Sequence, residues 1–354
     1  MIKAPLLNCS IPNNTGKNCQ RIPDTWRVVF LDYIPHSPKD VKVMKDVLGI
    51  DAIIELFDTI PKEILLDDEN AFRVLEKSPL ESQGIMAQDL EDFIKSKARK
   101  NRVYSSIFMG AGCYHHYIPP VVDYLASRGE FWTSYTPYQA EISQGYLQAI
   151  FEYQSMISHL TMMKYSNASL HDGATALADA TIMALAHGKG KNRIMVPEFL
   201  HPSYKSVLHT TLEPRDVFLD TYRVDDYLEP LGSDVAAIII QSPDFFGNIH
   251  DVNNFSREIK QKYPNVLIIQ CITEALSLGK LRPPGSSGVD IAVGECQSFG
   301  IPMNFGGPGL GFMGVSDKKL LHKMPGRIVG IARSVNGEDL GYTLTLQARE
   351  QHIR

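Results

Sequence analysis

Short apolar, β-branched runs recur at residues 193–196, 217–219, 235–241, 266–270, 289–293 and 310–315, and helical or turn-forming segments separate them. Strands that alternate with crossovers build an α/β domain around a mostly parallel sheet. That topology limits where a ligand sits, because such sheets bind beyond the carboxyl ends of their strands. Here those ends lead into residues 242–247, 271–278 and 295–309.

With 354 residues, the chain has room for one large domain with a buried sheet and a smaller satellite. Lys plus Arg number 35 against 40 Asp plus Glu. No strong positive field exists to attract a phosphate backbone or an anionic bilayer, which argues against nucleic acid as a partner. Apolar runs such as residues 235–240 fall far short of the ~20 residues a membrane helix needs. Cys9, Cys19, Cys113, Cys271 and Cys296 are odd in number and lack close paired spacing. They read as reduced thiols of a cytoplasmic protein, not as disulfides or zinc ligands.

Residues 1–32 hold several asparagines, prolines and glycines without periodicity, and read as a loose extension. From 33 to 105 apolar residues recur at three and four, as in Val43, Val47 and Ile50, then Ile53, Ile54 and Phe57, with Pro61 restarting a helix. This predicts a helical N-terminal region ahead of a large α/β domain over 106–354.

Thr136-Pro137-Tyr138-Gln139 sets an N-cap threonine before a proline at the first helical position, with a glutamine placed to reach back. The pattern predicts a helix from there, its apolar face running through Ile142, Tyr146, Ile150 and Phe151. Asp172 or Gly173 opens another helix through 174–178, whose free backbone N–H groups can receive an anion. The glycines at 306–311 do not read as a dinucleotide site, because they follow a loop and Pro308 removes an N–H. They let the backbone pass close to a cofactor or another chain.

Phe108-Met109-Gly110-Ala111-Gly112-Cys113-Tyr114-His115-His116-Tyr117-Ile118-Pro119-Pro120 and the 134–145 stretch beginning Ser134-Tyr135-Thr136-Pro137 carry a specific likeness. So do residues 294–311 and 345–354. On these strings the chain, from about Tyr33 onward, resembles the glycine cleavage system P-protein family, glycine dehydrogenase (decarboxylating). Within it the chain is similar to the non-lysine subunit of the two-subunit form.

The resemblance implies a fold-type-I pyridoxal-phosphate transferase-like domain followed by a small C-terminal domain, which is expected to be truncated in a chain that runs only as far as Arg354. It also implies an active half that holds the cofactor through a lysine and pairs its ring nitrogen with an aspartate. Gln297 stands where that lysine is expected, and an amide nitrogen forms no Schiff base. The aspartate position falls at Gln270, or at Cys271 if the register slips by one, and neither is acidic. Pyridoxal phosphate is therefore expected on a homologous lysine-bearing subunit 2, in an α2β2 assembly that decarboxylates glycine and passes methylamine to lipoylated H-protein.

In such an assembly the working site lies between the halves, and this chain lends side chains to it. Tyr114 and His116 are candidates for glycine's carboxylate or the lipoyl channel. Tyr135, Thr136, Tyr138, Gln139 and Glu141 form a second group, though capping alone accounts for Thr136 and Gln139. Ser298, Gly306 and Gly307 are candidates for contact with the partner's cofactor. Adjacent His115 and His116 point to opposite faces of an extended segment, so no metal is expected. A scaffolding or regulatory pseudoenzyme remains the alternative function. A lone cofactor enzyme using Lys164, Lys189 or Lys280 is a third reading.

Overall fold

The structure, a computed structural model, describes residues 36–61, 64–65, 86–227, 230–304, 306–333, 337 and 339–345. The extension over 1–32, the helix expected to restart at Pro61 and most of the 345–354 motif lie outside the described residues. The chain divides into two compact units, Met1–Tyr104 and Ser105–Arg354.

In the first unit, α1 (Pro38–Leu48) starts at a Ser37 cap whose partner in a capping box is Asp40, and stops at Gly49 in the left-handed conformation. A 3-10 turn spans Ile53–Phe57 and α2 spans Ala87–Ala98. None of these elements buries a residue, although each carries apolar side chains.

The second unit opens with α3 (Pro120–Ala126), α4 (Gly129–Trp132), α5 (Gln144–Thr161), β1 (Tyr165–Ser166) and α6 (Gly173–His187). Then follow β2 (Arg193–Pro197), α7 (Pro202–Leu212), β3 (Phe218–Tyr222), β4 (Val235–Gln241), α8 (Val252–Lys262), β5 (Leu267–Ile272) and β6 (Ile291–Glu295). The chain continues through β7 (Gly311–Val315), α9 (Lys318–Leu321), β8 (Ile328–Arg333) and β9 (Leu340–Thr345).

Among the described residues, β1 to β7 form one 7-stranded sheet in the order β1-β7-β6-β5-β4-β2-β3, and β8 pairs with β9. The pairings from β3 through β6 are parallel, while β7 runs antiparallel to both β6 and β1. The mostly parallel sheet read from the sequence is therefore present, with one antiparallel strand, β7, set between β6 and the edge strand β1. Both faces of the sheet are covered. Ala176, Leu177, Ala180 and Ala184 of α6 pack on one face with Leu208 and Leu212 of α7, next to Ile239, Ile269 and Val293. Phe255 and Ile259 of α8 cover Ile238, Ile240 and Ile268 on the other. Alanines let α6 approach the strands closely, which explains its alanine-rich composition.

The helix predicted to start behind Thr136 starts seven positions later. Residues 140–142 form a 3-10 turn and α5 begins at Gln144. Thr136 caps nothing, and Gln139, which precedes the turn, makes no side-chain cap bond. The start is pinned by Gln144, whose Nε2 donates to Ala140 O at 2.6 Å and Tyr342 O at 2.8 Å, while its Oε1 accepts from Tyr342 N at 2.8 Å. A partner on β9 overrides the local signal.

Candidate functional site

The carboxyl ends of β2, β4, β5 and β6 converge with the 110–116 segment. That segment turns at Ala111 and Gly112, with φ of 67° and 85°. His201 anchors it: Nδ1 accepts from Ser203 N at 3.1 Å, so the other ring nitrogen carries the proton and donates to Ala111 O at 2.9 Å. His201 is buried, in edge contact with Phe245 and tilted against Tyr204, and its own N–H donates to Gln241 Oε1. Leu200-His201-Pro202 is a cap-then-proline start for α7, the only signal that marked this histidine in the sequence.

Held this way, the segment brings His116 beside Glu274. His116 Nε2 lies 3.3 Å from Glu274 Oε2, within ion-pair range for a protonated ring but not aligned for a hydrogen bond. Ser298 Oγ donates to Glu274 Oε1 at 2.6 Å, and Leu276 N donates to the same oxygen at 3.0 Å. Glu274 thus joins two side chains that sequence reasoning had assigned to separate roles. Tyr114 is exposed, and its hydroxyl accepts from Gly112 N at 3.4 Å. In the second group, Tyr138 is tied to Arg327, which donates to its hydroxyl at 2.8 Å and lies over its ring. Tyr135 is 85% exposed, Gln139 and Glu141 are exposed, and Thr136 is half-buried. Gly306 and Gly307 have positive φ in open space, with room for a neighbour.

The fit of pyridoxal phosphate to this chain's own pocket can be tested residue by residue. Gln297 is 7% exposed and its amide donates to Ile301 O, so its side chain is committed within the loop. Of the two candidates for the aspartate position, Cys271 packs on the α6 face of the sheet, whereas Gln270 lines a separate cavity of about 330 Å³ with Ser242, His250 and Arg282. Burial pushes the Cys271 thiol well above its ordinary range, which leaves no anion to pair with a ring nitrogen.

At the N-terminus of α6, Asp172 caps Thr175 N at 2.8 Å. Gly173 N donates to Glu295 Oε2 at 3.0 Å, and Gln297 N and Leu310 N donate to Glu295 Oε1 at 2.9 and 2.6 Å. The anion-receiving helix end foreseen in the sequence is present, and carboxylates of this same chain occupy it. The residues here do not fit the cofactor. Lys164, Lys189 and Lys280 are all exposed on the surface. Among the described residues no cluster of three His, Cys, Asp or Glu is placed to hold a metal ion, and no helix is long and apolar enough to cross a membrane. A second cavity, about 400 Å³, lies between α5, β1 and β8, away from these loops.

The family model described as glycine cleavage system P-protein matches residues 31–354. A probable glycine dehydrogenase (decarboxylating) subunit 1 of Endomicrobium trichonymphae is 45% identical over 92% of this chain and 71% of its own length. Its counterpart in Staphylococcus carnosus (strain TM300) is 44% identical over 91% and 71%. A crystal structure of glycine decarboxylase (P-protein) of the glycine cleavage system, in inhibitor-bound form, superposes with a TM-score of 0.70 at 38% identity. The match covers 90% of this chain and 70% of that one. The fold-type-I α/β architecture expected from the resemblance is borne out by this likeness and by the sheet order. The chain belongs to the glycine cleavage system P-protein family.

Proposed function

We propose that this chain is the non-lysine subunit of glycine dehydrogenase (decarboxylating), the enzyme of the glycine cleavage system that removes glycine's carboxylate and passes the methylamine moiety to the lipoyl group of H-protein. The relatives' name, subunit 1, calls for a second subunit. The family works with pyridoxal phosphate, and we assign the cofactor to that partner in an α2β2 assembly. One observation carries the assignment. Gln297, at the expected lysine position, has its amide bonded to Ile301 O, and neither Gln270 nor Cys271, the two candidates for the aspartate position, is a carboxylate.

What this chain supplies is a wall of polar side chains at the sheet's carboxyl edge. Glycine has no side chain to grip, so selectivity rests on a tight enclosure and on donors to its carboxylate. Tyr114, His116 and Ser298 are the donors we assign, with Glu274 orienting the latter two. Tyr135, Thr136, Tyr138, Gln139 and Glu141 line the face turned to the partner, and Gly306 and Gly307 approach its cofactor. The free thiols of Cys113, Cys271 and Cys296 suit a reducing compartment, the cytoplasm.

Glycine–bicarbonate exchange by the complex with the lysine-bearing subunit tests the reading. Tyr114→Phe and His116→Ala each lower kcat/KM about tenfold or more, the cost of a lost hydrogen bond to a charged group. Unchanged turnover in both variants, with the complex intact, would leave this chain a scaffold.

A further inference from the structure

Glu295 ends β6 beside the N-terminus of α6, and its carboxylate collects three backbone N–H groups from three separate segments. These are Gly173 at the first position of α6, Gln297 in the loop that carries the missing lysine, and Leu310 at the approach to β7. A 15-residue helix points its positive end at this carboxylate. Asp172 takes the Thr175 N–H of the same first turn, so two side-chain carboxylates already stand at the helix end. The backbone is shaped around them. A methyl group on Gly309 would lie 3.0 Å from Glu295 Oε2 and 2.9 Å from Asp172 Cβ, and one on Gly311 would lie 2.3 Å from Asp172 O. A methyl on Gly173 would meet the Tyr204 hydroxyl at 2.1 Å.

We infer that Glu295 is a built-in anion that occupies the anion-receiving end of α6, where the phosphate of a cofactor attached at 297 would sit, so that the chain excludes a phosphate-bearing cofactor at two places, residue 295 as well as residue 297. The inference deepens the proposed function and rests on its assignment of the cofactor to the partner. The physical reason is local. One carboxylate bridges the α6 end and the backbone of residue 297, so a ligand attached at 297 with its phosphate at the helix would need the space and donors Glu295 holds. A phosphate ester carries about −1.5 to −2 charge at neutral pH and would be repelled by both carboxylates. Putting a lysine at 297 would restore the amine and leave the phosphate without a seat.

Two substitutions in the full chain separate these contributions. Gln297→Lys alone is expected to take up pyridoxal phosphate no better than pyridoxal, which lacks the phosphate. Uptake is read from the visible band of the lysine-bound coenzyme and from the borohydride-trapped adduct mapped to residue 297. Glu295→Ser/Gln297→Lys is expected to prefer pyridoxal phosphate over pyridoxal by about tenfold or more, as a set of freed donors to a charged group allows. Inorganic phosphate gives an independent readout. It raises the unfolding midpoint of Glu295→Ser and leaves that of the wild-type chain unchanged.

A strong phosphate preference in Gln297→Lys alone, or an equal response of wild type and Glu295→Ser to inorganic phosphate, overturns the inference. Should the serine variant not fold, Glu295→Ala likewise frees both the space and the three donors. The preference for the phosphate ester must then emerge in Glu295→Ala/Gln297→Lys, and its absence overturns the inference too. A wild-type chain that traps pyridoxal phosphate on one of its own lysines would instead sink the assignment of the cofactor to the partner, a different failure with a different signature.

Discussion

Asp244 shows how much of a loop one buried side chain can organise. Its Oδ1 accepts from Phe246 N at 2.9 Å and Asn248 N at 3.0 Å, while Oδ2 accepts from Asn248 Nδ2 at 2.9 Å and faces His250 Nε2 at 3.1 Å. Burial raises its pKa, but the Asn248 side chain and N–H, His250 and the Phe246 N–H together outweigh that and hold it below the usual 3.8. A folded-state value below the unfolded one means stability that is fully present above pH 3.8 and lost as pH falls through the lower, folded value. Asp244→Ala is therefore expected to cost about 2–4 kcal/mol in urea unfolding at neutral pH. It should also flatten the acid limb, and equal acid slopes in wild type and variant would contradict this account. At this scale the sequence was legible unevenly. The loop 242–247 could be placed by topology, but nothing in Ser242-Pro243-Asp244 says that Asp244 bonds inward. Nothing local distinguishes Glu274 and Glu295 either: in sequence, an acid after an apolar strand has the pattern of a solvated side chain, and only the fold brings its partners to it.

Among the elements, the clearest contrast is between the large sheet and the β8–β9 pair. The runs for β4 to β7 were readable because strands buried on both faces are continuously apolar, and each observed strand from β2 to β7 starts within two residues of its expected position. β8 and β9 carry glycines at 330 and 341 and are half-exposed, so no such run marks them. Their support comes from α5. Buried Gln154 donates to Val329 O at 3.0 Å and accepts from Val329 N at 2.9 Å, as Gln144 does with Tyr342. Side chains some 175 and 198 positions away in sequence thus complete the ladder. The same distance explains why the Thr136 start failed, since a capping pattern is local and its competitor is not. Gln154→Leu keeps the volume but strands a buried N–H and C=O of β8. It should cost about 2–4 kcal/mol and speed amide exchange at Val329 before that of β4 or β5. Uniform exchange across all strands would count against α5 as the support of this pair.

At the scale of the whole molecule, the second unit leaves large apolar side chains in water between residues 117 and 142. Tyr117, Val121, Tyr124, Phe131, Trp132, Tyr135 and Ile142 are all exposed, Trp132 by 76%. Helices α3 and α4, which carry most of them, bury no residue. Such concentrations of aromatic and aliphatic side chains mark protein interfaces more often than free surface. The run overlaps both stretches that carried the family likeness, with Tyr117 in the first and Tyr135 and Ile142 in the second, so its specificity was legible in sequence while its exposure was not. We expect the lysine-bearing subunit to cover it. Trp26 and Trp132 are the two tryptophans, so a Trp26→Phe background isolates the reporter. On adding the partner, Trp132 emission should move to shorter wavelength as the indole leaves water. Trp132→Glu should weaken the complex at least about thirtyfold, as loss of roughly 2 kcal/mol at an interface hot spot implies. The outcome that would sink the idea is specific: a complex that forms with wild-type affinity while Trp132 emission stays unshifted. In that case the partner binds elsewhere, and the polar wall at His116, Glu274 and Ser298 would have to reach its substrate without help from this face.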